Sequence, residues 1–454
     1  MKKKLSFNQT LLVGSLLFGL YFGAGNLIFP IELGQNSGNN LYKVVLGFII
    51  SGVGLPLLGV VASAISKNDS LFEMGKTVSN KFAFIFTTAL YLTIGPFFAI
   101  PRTSTVAFEV GIASNVSQDK IKIFLLIFSL IFFLTVLAFA LKPGKIMDNI
   151  GKILTPTFLI LLSVLVVLAL IKPMGGLGEN QPIEKYGNNP LFVGILDGYN
   201  TMDALASLAF AIIIISSIRK LGVKDSNQVA IETLKSGIIC LIAMSTVYVS
   251  LAFMSSSSVN IMEIGNNGGI ILSNISFHYL GNFGKILLAA IVIIACLKTA
   301  IGLIIACSEI FIEMYPNSLS YKTYAITFTL ISFLIANLGL QNIISLSIPV
   351  LMYMYPLAIV LIFLSLLYPL IGKNKLIFSL SIGFTAIFSI FDFLRALPEN
   401  ISNLNFIQSI IEFAVKNLPG FNLGFGWVIP GLVGFILAII ICIIKKDQIK
   451  QINL

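Results

Sequence analysis

Long runs of apolar residues, separated by short polar segments, repeat along the whole chain of 454 residues. Each run is close to the length of about 20 residues that a helix needs to cross a bilayer, and several are long enough to tilt. The pattern predicts an all-α polytopic membrane protein with about twelve transmembrane helices. The predicted spans are 8–35, 41–66, 82–108, 121–141, 149–171, 189–218, 229–255, 284–313, 323–340, 343–371, 376–394 and 424–444.

Two of these spans carry helix-breaking residues near their middle. The first has Gly23, Ala24, Gly25 and Asn26 at mid-depth, and the sixth is interrupted within 197–210. Hydrocarbon supplies no partner for free backbone N–H and C=O groups, so an unwound turn at this depth must line a cavity inside the protein. Glycine in a single span can simply allow close helix packing. The inference of a cavity therefore depends on the presence of two interrupted spans. Paired broken spans mark the binding site of a secondary transporter.

The first five spans and the next five are predicted to form two units, each opening with a broken helix. Because five is odd, the second unit enters the membrane from the opposite side, which gives an inverted repeat. We expect one transporter domain over 1–454, with repeats at 1–172 and 189–371 and two appended helices in 372–454. The Gly-, Asn- and Ser-rich stretch 260–284 is either an external re-entrant or interfacial helix or an ordinary loop.

The helix ends at the first break suit a ligand that carries both charges. The N–H groups of residues 24–26 favour a carboxylate, and the carbonyl groups of residues 19–22 favour a cation. A zwitterionic amino acid therefore fits without any charged side chain. The sixth span adds the remaining backbone and polar groups of the predicted substrate site, which are Gly198, Tyr199, Asn200 and Thr201.

The side chains expected around this site are mostly apolar. They are Phe97, Phe98, Ile100, Phe108, Met202 and Leu205, of which Phe98 is assigned to the substrate site. No spare charge is evident there for an acidic or basic substrate side chain. A branched apolar side chain fits best.

Composition narrows the function classes. Hydrophobic residues make up 57% of the chain and charged residues 11%, which excludes a soluble globular protein. The four cysteines lie in apolar runs and there is one histidine, so no disulfide, metal centre or cofactor is predicted. A membrane enzyme would concentrate acids or nucleophiles near one face, and a channel would have a filter ring or a short symmetric subunit. Neither pattern is present.

The net charge of +10 indicates orientation, not binding to nucleic acid. Most of the 29 Lys and Arg residues fall in segments on the same side as the N-terminus. The positive-inside rule then places both termini in the cytoplasm. We expect the lipid bilayer as the surroundings and a monomer or weak oligomer.

Three ordered segments carry a resemblance to a known family. They are GAGNLIFP at 23–30, IGPFFAIPRTSTVAFEVG at 94–111 and ACLKTAIGLIIACSE at 295–309. These resemble signature segments of the bacterial branched-chain amino acid:cation symporters, and the likeness spans essentially the full chain. That family belongs with the five-plus-five inverted-repeat transporters of the LeuT type. The resemblance implies uptake of L-leucine, L-isoleucine and L-valine across a bacterial inner membrane, usually coupled to Na⁺.

The same resemblance implies a cation site between the first and eighth helices. Carried over residue by residue, the site comprises Gly19, Phe22, Ala295, Lys298 and Thr299. Thr299 fits a Na⁺ ligand, whereas the Lys298 ammonium has only donors and would stand in the place of the cation. The coupling ion is therefore Na⁺ or H⁺, or there is none.

Lys298 lies near the middle of its predicted span, where an ionised lysine is costly and marks a functional site. Three roles stay open. Lys298 replaces the ion permanently, or it titrates and couples transport to protons, or it points past the site into a polar gap or pairs with Asp203. The first role would give a cation-independent exchanger, and a non-transporting amino acid sensor of the same fold is a further alternative.

Four charged residues are candidates for gates or proton sites: Glu32, Arg102, Asp197 and Asp203. Arg102 is predicted to lie toward the outer surface, where Glu32, Glu109 or Asp197 would pair with it. Such a pair would close over bound substrate or hold helices together. Asp203, beside the second break, is predicted to support the unwound turn or to carry a proton.

Overall fold

The computed structural model describes residues 4–68, 70–113, 116–265 and 267–452, without the side chains of residues 24, 118 and 445–452. These residues form helices and turns, with no β-strand among them. The long helices in chain order are α1 (Phe7–Tyr21), α2 (Ala24–Asn36), α3 (Gly38–Ile65), α4 (Asn80–Gly111), α5 (Ile121–Ala140), α6 (Pro143–Ile171), α7 (Pro190–Tyr199), α8 (Asp203–Lys220), α9 (Ser226–Ser256), α10 (Gly268–Met314), α11 (Tyr321–Ala336), α12 (Leu340–Leu366), α13 (Lys375–Arg395) and α14 (Val428–Ile452).

These helices match the twelve predicted spans in order. Within the described residues, eight helices are long and apolar enough to cross a membrane, and the bent pairs α1–α2 and α7–α8 raise the number to 10. Helix α11 and the apolar part of α14, Val428–Ile444, are shorter and occupy the positions of the ninth and twelfth spans. The prediction of an all-α polytopic protein is confirmed. Shorter helices lie between the spans, at Leu71–Lys76, Glu184–Gly187, Tyr368–Ile371, Glu399–Ser402 and Asn405–Asn417.

Polar side chains start several of these helices by accepting hydrogen bonds from N–H groups of the first turn. At α1, Ser6 Oγ accepts from the Gln9 N–H at 3.3 Å and Gln9 Oε1 accepts from the Ser6 N–H at 2.9 Å. This reciprocal capping box satisfies two donors that the helix cannot. Asp225 before α9 and Asn267 before α10 cap in the same way, with one bond each.

Burial separates a central group of helices from a lipid-facing group. Every residue from 201 to 211, at the start of α8, is buried. Helices α5 and α6 instead expose large apolar side chains, among them Ile127, Ile131 and Ile160. Apolar side chains on an outer face are more stable in contact with hydrocarbon than with water. The protein is therefore an integral membrane protein with its broken helices at the centre.

Helix α10 begins well before the predicted eighth span. Its first part, 268–280, is a separate helix that joins the span through Gly281, which has φ 56° and ψ −140°. This backbone conformation is open to glycine and strained for other residues. The prediction of a helix within 260–284 is confirmed, and the alternative of an ordinary loop is wrong.

Helix α4 is interrupted in the middle of its span. Gly95 has non-helical backbone angles, φ −92° and ψ −125°, and Pro96 follows it. Proline removes a backbone donor and kinks a helix. Ile94 precedes the kink and Ala99 and Arg102 follow it, and all three line one cavity.

The cysteines behave as packing residues. All four are free, with Cys240, Cys296 and Cys307 buried and Cys442 half-buried. A free buried cysteine acts as a small apolar side chain. This agrees with the prediction from their position in apolar runs.

Candidate functional site

The first predicted break is present. Helix α1 ends at Tyr21, α2 begins at Ala24, and the two helices are bent by 70°. The Gly23 N–H donates to Asn26 Oδ1 at 2.9 Å and not to a carbonyl group of α1. Carbonyl groups at the end of α1 and N–H groups at the start of α2 are thus left without intrahelical partners. The unwound residues are Phe22 and Gly23, slightly earlier than the predicted centre of the break.

The second break lies at residues 200–202, between α7 and α8, with a bend of 44°. Met202 has φ 64°, a left-handed conformation that costs a non-glycine residue free energy. Thr201 Oγ donates to the Gly198 carbonyl at 2.9 Å and accepts from the Asp203 N–H at 3.4 Å. The threonine hydroxyl therefore replaces part of the missing helical hydrogen bonding.

One buried hydrogen-bond network joins the two breaks. Asn26 Nδ2 donates to Asp203 Oδ2 and contacts the Tyr248 hydroxyl. The Tyr248 hydroxyl also donates to Asp203 Oδ2, at 3.3 Å. All three side chains are buried. Asn26 consequently holds the start of α2 against the start of α8 through its amide nitrogen, while its amide oxygen holds Gly23.

A cavity of about 30 Å³ lies between the breaks. Its lining combines polar groups with apolar side chains, namely Leu20, Tyr21, Gly23, Gly25, Asn26, Ile94, Ala99, Arg102, Thr103, Thr201, Met202, Asp203, Ala206, Phe210, Thr299 and Leu303. A single buried water needs about 10–15 Å³ by this kind of measure. The cavity in this conformation therefore has room for a few waters at most, and a leucine requires a wider one.

The predicted substrate residues divide between this cavity and other places. Gly23, Gly25, Asn26 and Thr201 line the cavity. Ala24 begins α2, but its side chain lies outside the described part of the chain. Phe98, Gly198, Tyr199 and Asn200 do not line it: Phe98 lies at the kink of α4 beside Phe97, and Tyr199 stacks on Tyr355 at 4.1 Å between ring centroids. Their role in substrate binding stays a prediction.

Gly198 belongs to a helix-packing surface. A Cβ at Gly198 would lie 2.0 Å from Ser51 Oγ, and one at Gly194 would lie 2.2 Å from the Val44 carbonyl oxygen. On the facing helix, a Cβ at Gly47 would lie 2.1 Å from the Leu191 carbonyl oxygen. Glycines four residues apart in an apolar segment are the signal for such close contact. That spacing at 194 and 198 could have identified the contact from sequence.

The predicted cation site is spread over two neighbouring environments. Thr299 lines the central cavity, and a Cβ at Gly23 would lie 2.8 Å from its hydroxyl oxygen. Gly19 faces α6, where a Cβ would lie 2.1 Å from Thr155 Oγ. Phe22 and Ala295 are fully buried. The hydroxyl oxygens of Thr155 and Thr299 have no hydrogen-bond partner among the described residues, and Thr155 was not predicted from the sequence.

Lys298 is fully buried, and its Nζ forms no hydrogen bond with any described residue. Nζ lies 4.0 Å from the ring centroid of Phe158 and 5.5 Å from that of Phe18, which gives two cation–π contacts. The predicted alternative of a pair with Asp203 is wrong, because no ion pair joins them in the described structure. Lys298 points toward α6, away from the side of α10 that carries Thr299.

The predicted ion pair of Arg102 is also wrong. In the described residues Arg102 pairs with none of Glu32, Glu109 and Asp197. Its guanidinium lines the central cavity and lies 5.7 Å from the ring centroid of Phe29. The expectation that no spare charge lies around the site is wrong as well, since Arg102 and Asp203 both line the cavity.

Asp197 has its own partners in the segment before α7. Lys185 Nζ lies 2.7 Å from Asp197 Oδ1, and the Tyr186 hydroxyl donates to Asp197 Oδ2 at 2.7 Å. Burial raises the pKa of the Tyr186 hydroxyl, so that it stays protonated and able to donate. Asp197 therefore fastens the connecting segment to α7 and does not reach Arg102.

A second cavity of about 280 Å³ lies on the side of α2 away from the break. Its polar lining consists of Glu32, Glu109, Lys185, Asn200, Asn267 and Gln341. Phe29 also lines it while its ring contacts Arg102 of the central cavity. Phe29 and Arg102 thus stand between the two cavities. Glu32 belongs to this wider cavity.

Solved structures of other transporters have the same fold. MhsT in complex with L-phenylalanine aligns with a TM-score of 0.58 and 16% identity, over 96% of this chain and 100% of that one. The nucleobase-cation-symport-1 family transporter Mhp1, in a closed conformation, aligns with a TM-score of 0.62 and 12% identity, over 94% and 91%. At these identities the likeness concerns the fold alone. The predicted LeuT-type architecture is confirmed.

Sequence relatives identify the family. A family model described as branched-chain amino acid transport protein matches residues 6–445. The branched-chain amino acid permease BrnQ of Lactobacillus delbrueckii subsp. lactis is 45% identical over 99% of this chain and 100% of its own length. The permease BraB of Bacillus subtilis is 40% identical over 100% and 99%. The chain belongs to the family of branched-chain amino acid transport proteins.

Proposed function

We propose that this protein is a secondary active transporter that imports L-leucine, L-isoleucine and L-valine by alternating access. The observation that carries the proposal is the central cavity between two broken spans, lined by free helix ends on one side and apolar side chains on the other. The substrate class is supported by the names of the bacterial relatives. Location in the bacterial inner membrane, with both termini cytoplasmic, is part of the proposal.

The apolar part of the cavity suits a branched aliphatic side chain. Its members come from four helices and differ in size: Leu20, Ile94, Ala99, Ala206, Phe210 and Leu303. Burying such a side chain contributes about 1.5–3 kcal/mol. An added methylene group is distinguished only weakly in a pocket of this kind, so all three branched-chain amino acids are expected to compete for it.

Transport requires the cavity to widen and to open to each side in turn. The unwound residues at 22–23 and 200–202 are the natural joints for that movement, because the regular α-helical hydrogen bonding is interrupted there. The outer route runs through the cavity of about 280 Å³, and the contact of Phe29 with Arg102 separates it from the central one. In the predicted orientation this route faces the outside of the cell.

The proposed coupling ion is Na⁺ or H⁺. One charge moving through 100 mV releases about 2.3 kcal/mol, which supports roughly a 50-fold substrate gradient. The hydroxyl groups of Thr155 and Thr299 lack partners beside the end of α1, where carbonyl groups are also free, and oxygen atoms of these kinds suit Na⁺. Lys298 adds a buried positive charge on the same helix as Thr299, over the ring of Phe158 on α6. Its presence favours a carrier that depends less on Na⁺.

Uptake of radiolabelled leucine into proteoliposomes tests the function. Gradients of Na⁺, of pH and of voltage are imposed one at a time, and initial rates are compared with those of protein-free vesicles. We expect accumulation above equilibrium with at least one gradient, and inhibition by isoleucine and valine. Absence of any leucine flux would contradict the proposal.

Counterflow separates a carrier from a sensor of the same fold. Vesicles loaded with unlabelled leucine are diluted into labelled leucine, without an ion gradient. A carrier exchanges the label inward, whereas a sensor binds leucine and leaves the label outside. Exchange without any gradient-driven accumulation would instead indicate the cation-independent exchanger.

Replacing Lys298 with threonine is expected to make leucine uptake more dependent on Na⁺. The substitution removes the buried ammonium and leaves a hydroxyl oxygen at this position, which favours a bound cation. The measurement is the ratio of initial uptake rates with and without a Na⁺ gradient. Lys285→Thr is the matched control, since Lys285 lies on the same helix and also contacts a ring, Phe277, at 5.0 Å. An unchanged ratio in Lys298→Thr would rule out a role for Lys298 in ion coupling.

A further inference from the structure

Two side chains of opposite charge line the central cavity without touching each other. Arg102 comes from α4 and is 4% exposed, and Asp203 is the first residue of α8 and is 3% exposed. Both lie on the cavity wall, yet they form no ion pair within the described structure. Buried opposite charges that share a cavity and stay apart leave room for a ligand that carries both charges.

Among the described residues, the guanidinium of Arg102 has no acceptor for its five donors. None of the hydrogen bonds in the described residues involves its side chain, which makes a cation–π contact with the Phe29 ring at 5.7 Å. A buried cation without an acceptor is costly. A carboxylate would accept two parallel hydrogen bonds from this group.

The position of Arg102 agrees with that use. A Cβ at Gly25 would lie 3.2 Å from Nη2 of Arg102, so the guanidinium sits against the first turn of α2. The N–H groups of that turn also favour an anion. Side chain and helix end therefore make one end of the cavity doubly suited to a carboxylate.

Asp203 retains capacity for a further donor. Asn26 and Tyr248 both donate to Oδ2, and the Thr201 hydroxyl is the third side-chain group that interacts with the carboxylate. An ionised carboxylate offers about four acceptor positions on its two oxygens. An ammonium group in the cavity can therefore bind Asp203 without displacing Asn26 or Tyr248, and it would neutralise a buried negative charge.

We infer that Arg102 binds the carboxylate of the substrate and Asp203 binds its ammonium group. The inference rests on the proposed function and specifies how the head group is recognised. Helix ends alone, as expected from the sequence, are not the whole site. Since each charge of the protein needs its counterpart, the site selects zwitterionic amino acids against both the amines and the acids that share their side chains.

The test compares leucine with two analogues that each lack one charge. These are 3-methylbutylamine, which has no carboxylate, and 4-methylpentanoate, which has no ammonium group. Binding to the purified full-length protein in detergent is measured from the ligand-induced rise in unfolding temperature. For the wild type we expect each analogue to bind at least about 30-fold more weakly than leucine, the effect of removing one partner of a buried charge pair.

Variants assign each charge to its residue. Arg102→Gln is expected to weaken leucine binding by at least about 30-fold while leaving binding of 3-methylbutylamine nearly unchanged. Asp203→Asn is expected to weaken leucine binding to the same extent while leaving the binding of 4-methylpentanoate nearly unchanged. Arg102→Lys, which keeps the charge and loses the planar fork, should restore part of the affinity. Arg395→Gln and Asp392→Asn carry the same substitutions on α13, outside the cavity, and should bind leucine like the wild type.

Several outcomes overturn the inference. One is wild-type protein that binds either analogue within about threefold of leucine, which needs no variant and holds even where a variant fails to fold. Another is leucine affinity within about threefold of wild type in folded Arg102→Gln or Asp203→Asn. Failure of the proposed function looks different, since the wild type would then bind leucine without moving it across a membrane.

Discussion

Asn26→Leu is expected to reduce the initial rate of leucine uptake by at least about 100-fold. The amide of Asn26 accepts from the Gly23 N–H and donates to Asp203, and it also contacts Tyr248. Leucine has the same branched arrangement of side-chain heavy atoms and can make none of these bonds. A bond to a charged group is worth about 1.5–3 kcal/mol and a neutral one about 0.5–1.5 kcal/mol. Losing all three therefore costs about 2.5–6 kcal/mol, and a 100-fold change corresponds to roughly 2.7 kcal/mol.

The control for this experiment lies on the same helix. Asn36 is buried near the end of α2 and makes no side-chain hydrogen bond with the described residues, so Asn36→Leu should retain most of the uptake. Tyr248→Phe removes one hydroxyl and should have an intermediate effect. Both comparisons use equal amounts of reconstituted protein. Uptake by Asn26→Leu within threefold of the wild type would mean that the network does not hold the two breaks together.

Gly194→Ala is expected to lower the thermal stability of the protein markedly. The new methyl group would lie 2.2 Å from the carbonyl oxygen of Val44 and 3.1 Å from the backbone nitrogen of Phe48. Both are backbone atoms, which cannot rotate away, so α3 and α7 must separate. Overpacking of this kind costs about 1–3 kcal/mol or more. Movement of α7 would also displace the break that follows it.

The unfolding of this variant can be followed with a thiol-reactive dye. Cys240, Cys296 and Cys307 are buried and become reactive only when the helices come apart. Gly187→Ala provides the control, because a Cβ at Gly187 meets nothing within 4 Å. An unfolding midpoint of Gly194→Ala equal to that of the control would show that α3 and α7 tolerate a wider separation.

The sequence predicts the breaks better than it predicts the faces of the helices. Glycine, asparagine and proline inside an apolar run indicate an unwound turn wherever the helix lies, and both turns are present within a few residues of their predicted places. Which side chains then face the cavity depends on the rotation of each helix. Phe98, Tyr199 and Asn200 are close to a break in sequence but point to other neighbours.

Arg102 illustrates why depth is hard to read from residue counts. The span that contains it, Asn80–Gly111, has 32 residues, about 48 Å of helix for a hydrocarbon core of about 30 Å. Such a helix can tilt or extend beyond the hydrocarbon, and this one also kinks at Gly95. Counting from its start therefore placed Arg102 toward the outer surface, and the structure places it at the central cavity.

Lys298 shows the opposite case. Its burial at the centre of the protein follows from its position in a long apolar run, and it is indeed fully buried. The direction in which its side chain points does not follow from the sequence, because successive residues of a helix project to different sides of its axis. Lys298 consequently meets Phe158 of α6, and Thr299 meets the first break. Sequence alone left that choice open.

The small central cavity has a consequence for how affinity should be compared among homologues. A conformation with about 30 Å³ of space cannot hold leucine. Leucine therefore binds only to molecules whose helices have moved apart. The measured dissociation constant is then the intrinsic one divided by the fraction of such molecules. Two carriers with identical contact residues can therefore differ in leucine affinity solely through the free energy that keeps their helices together.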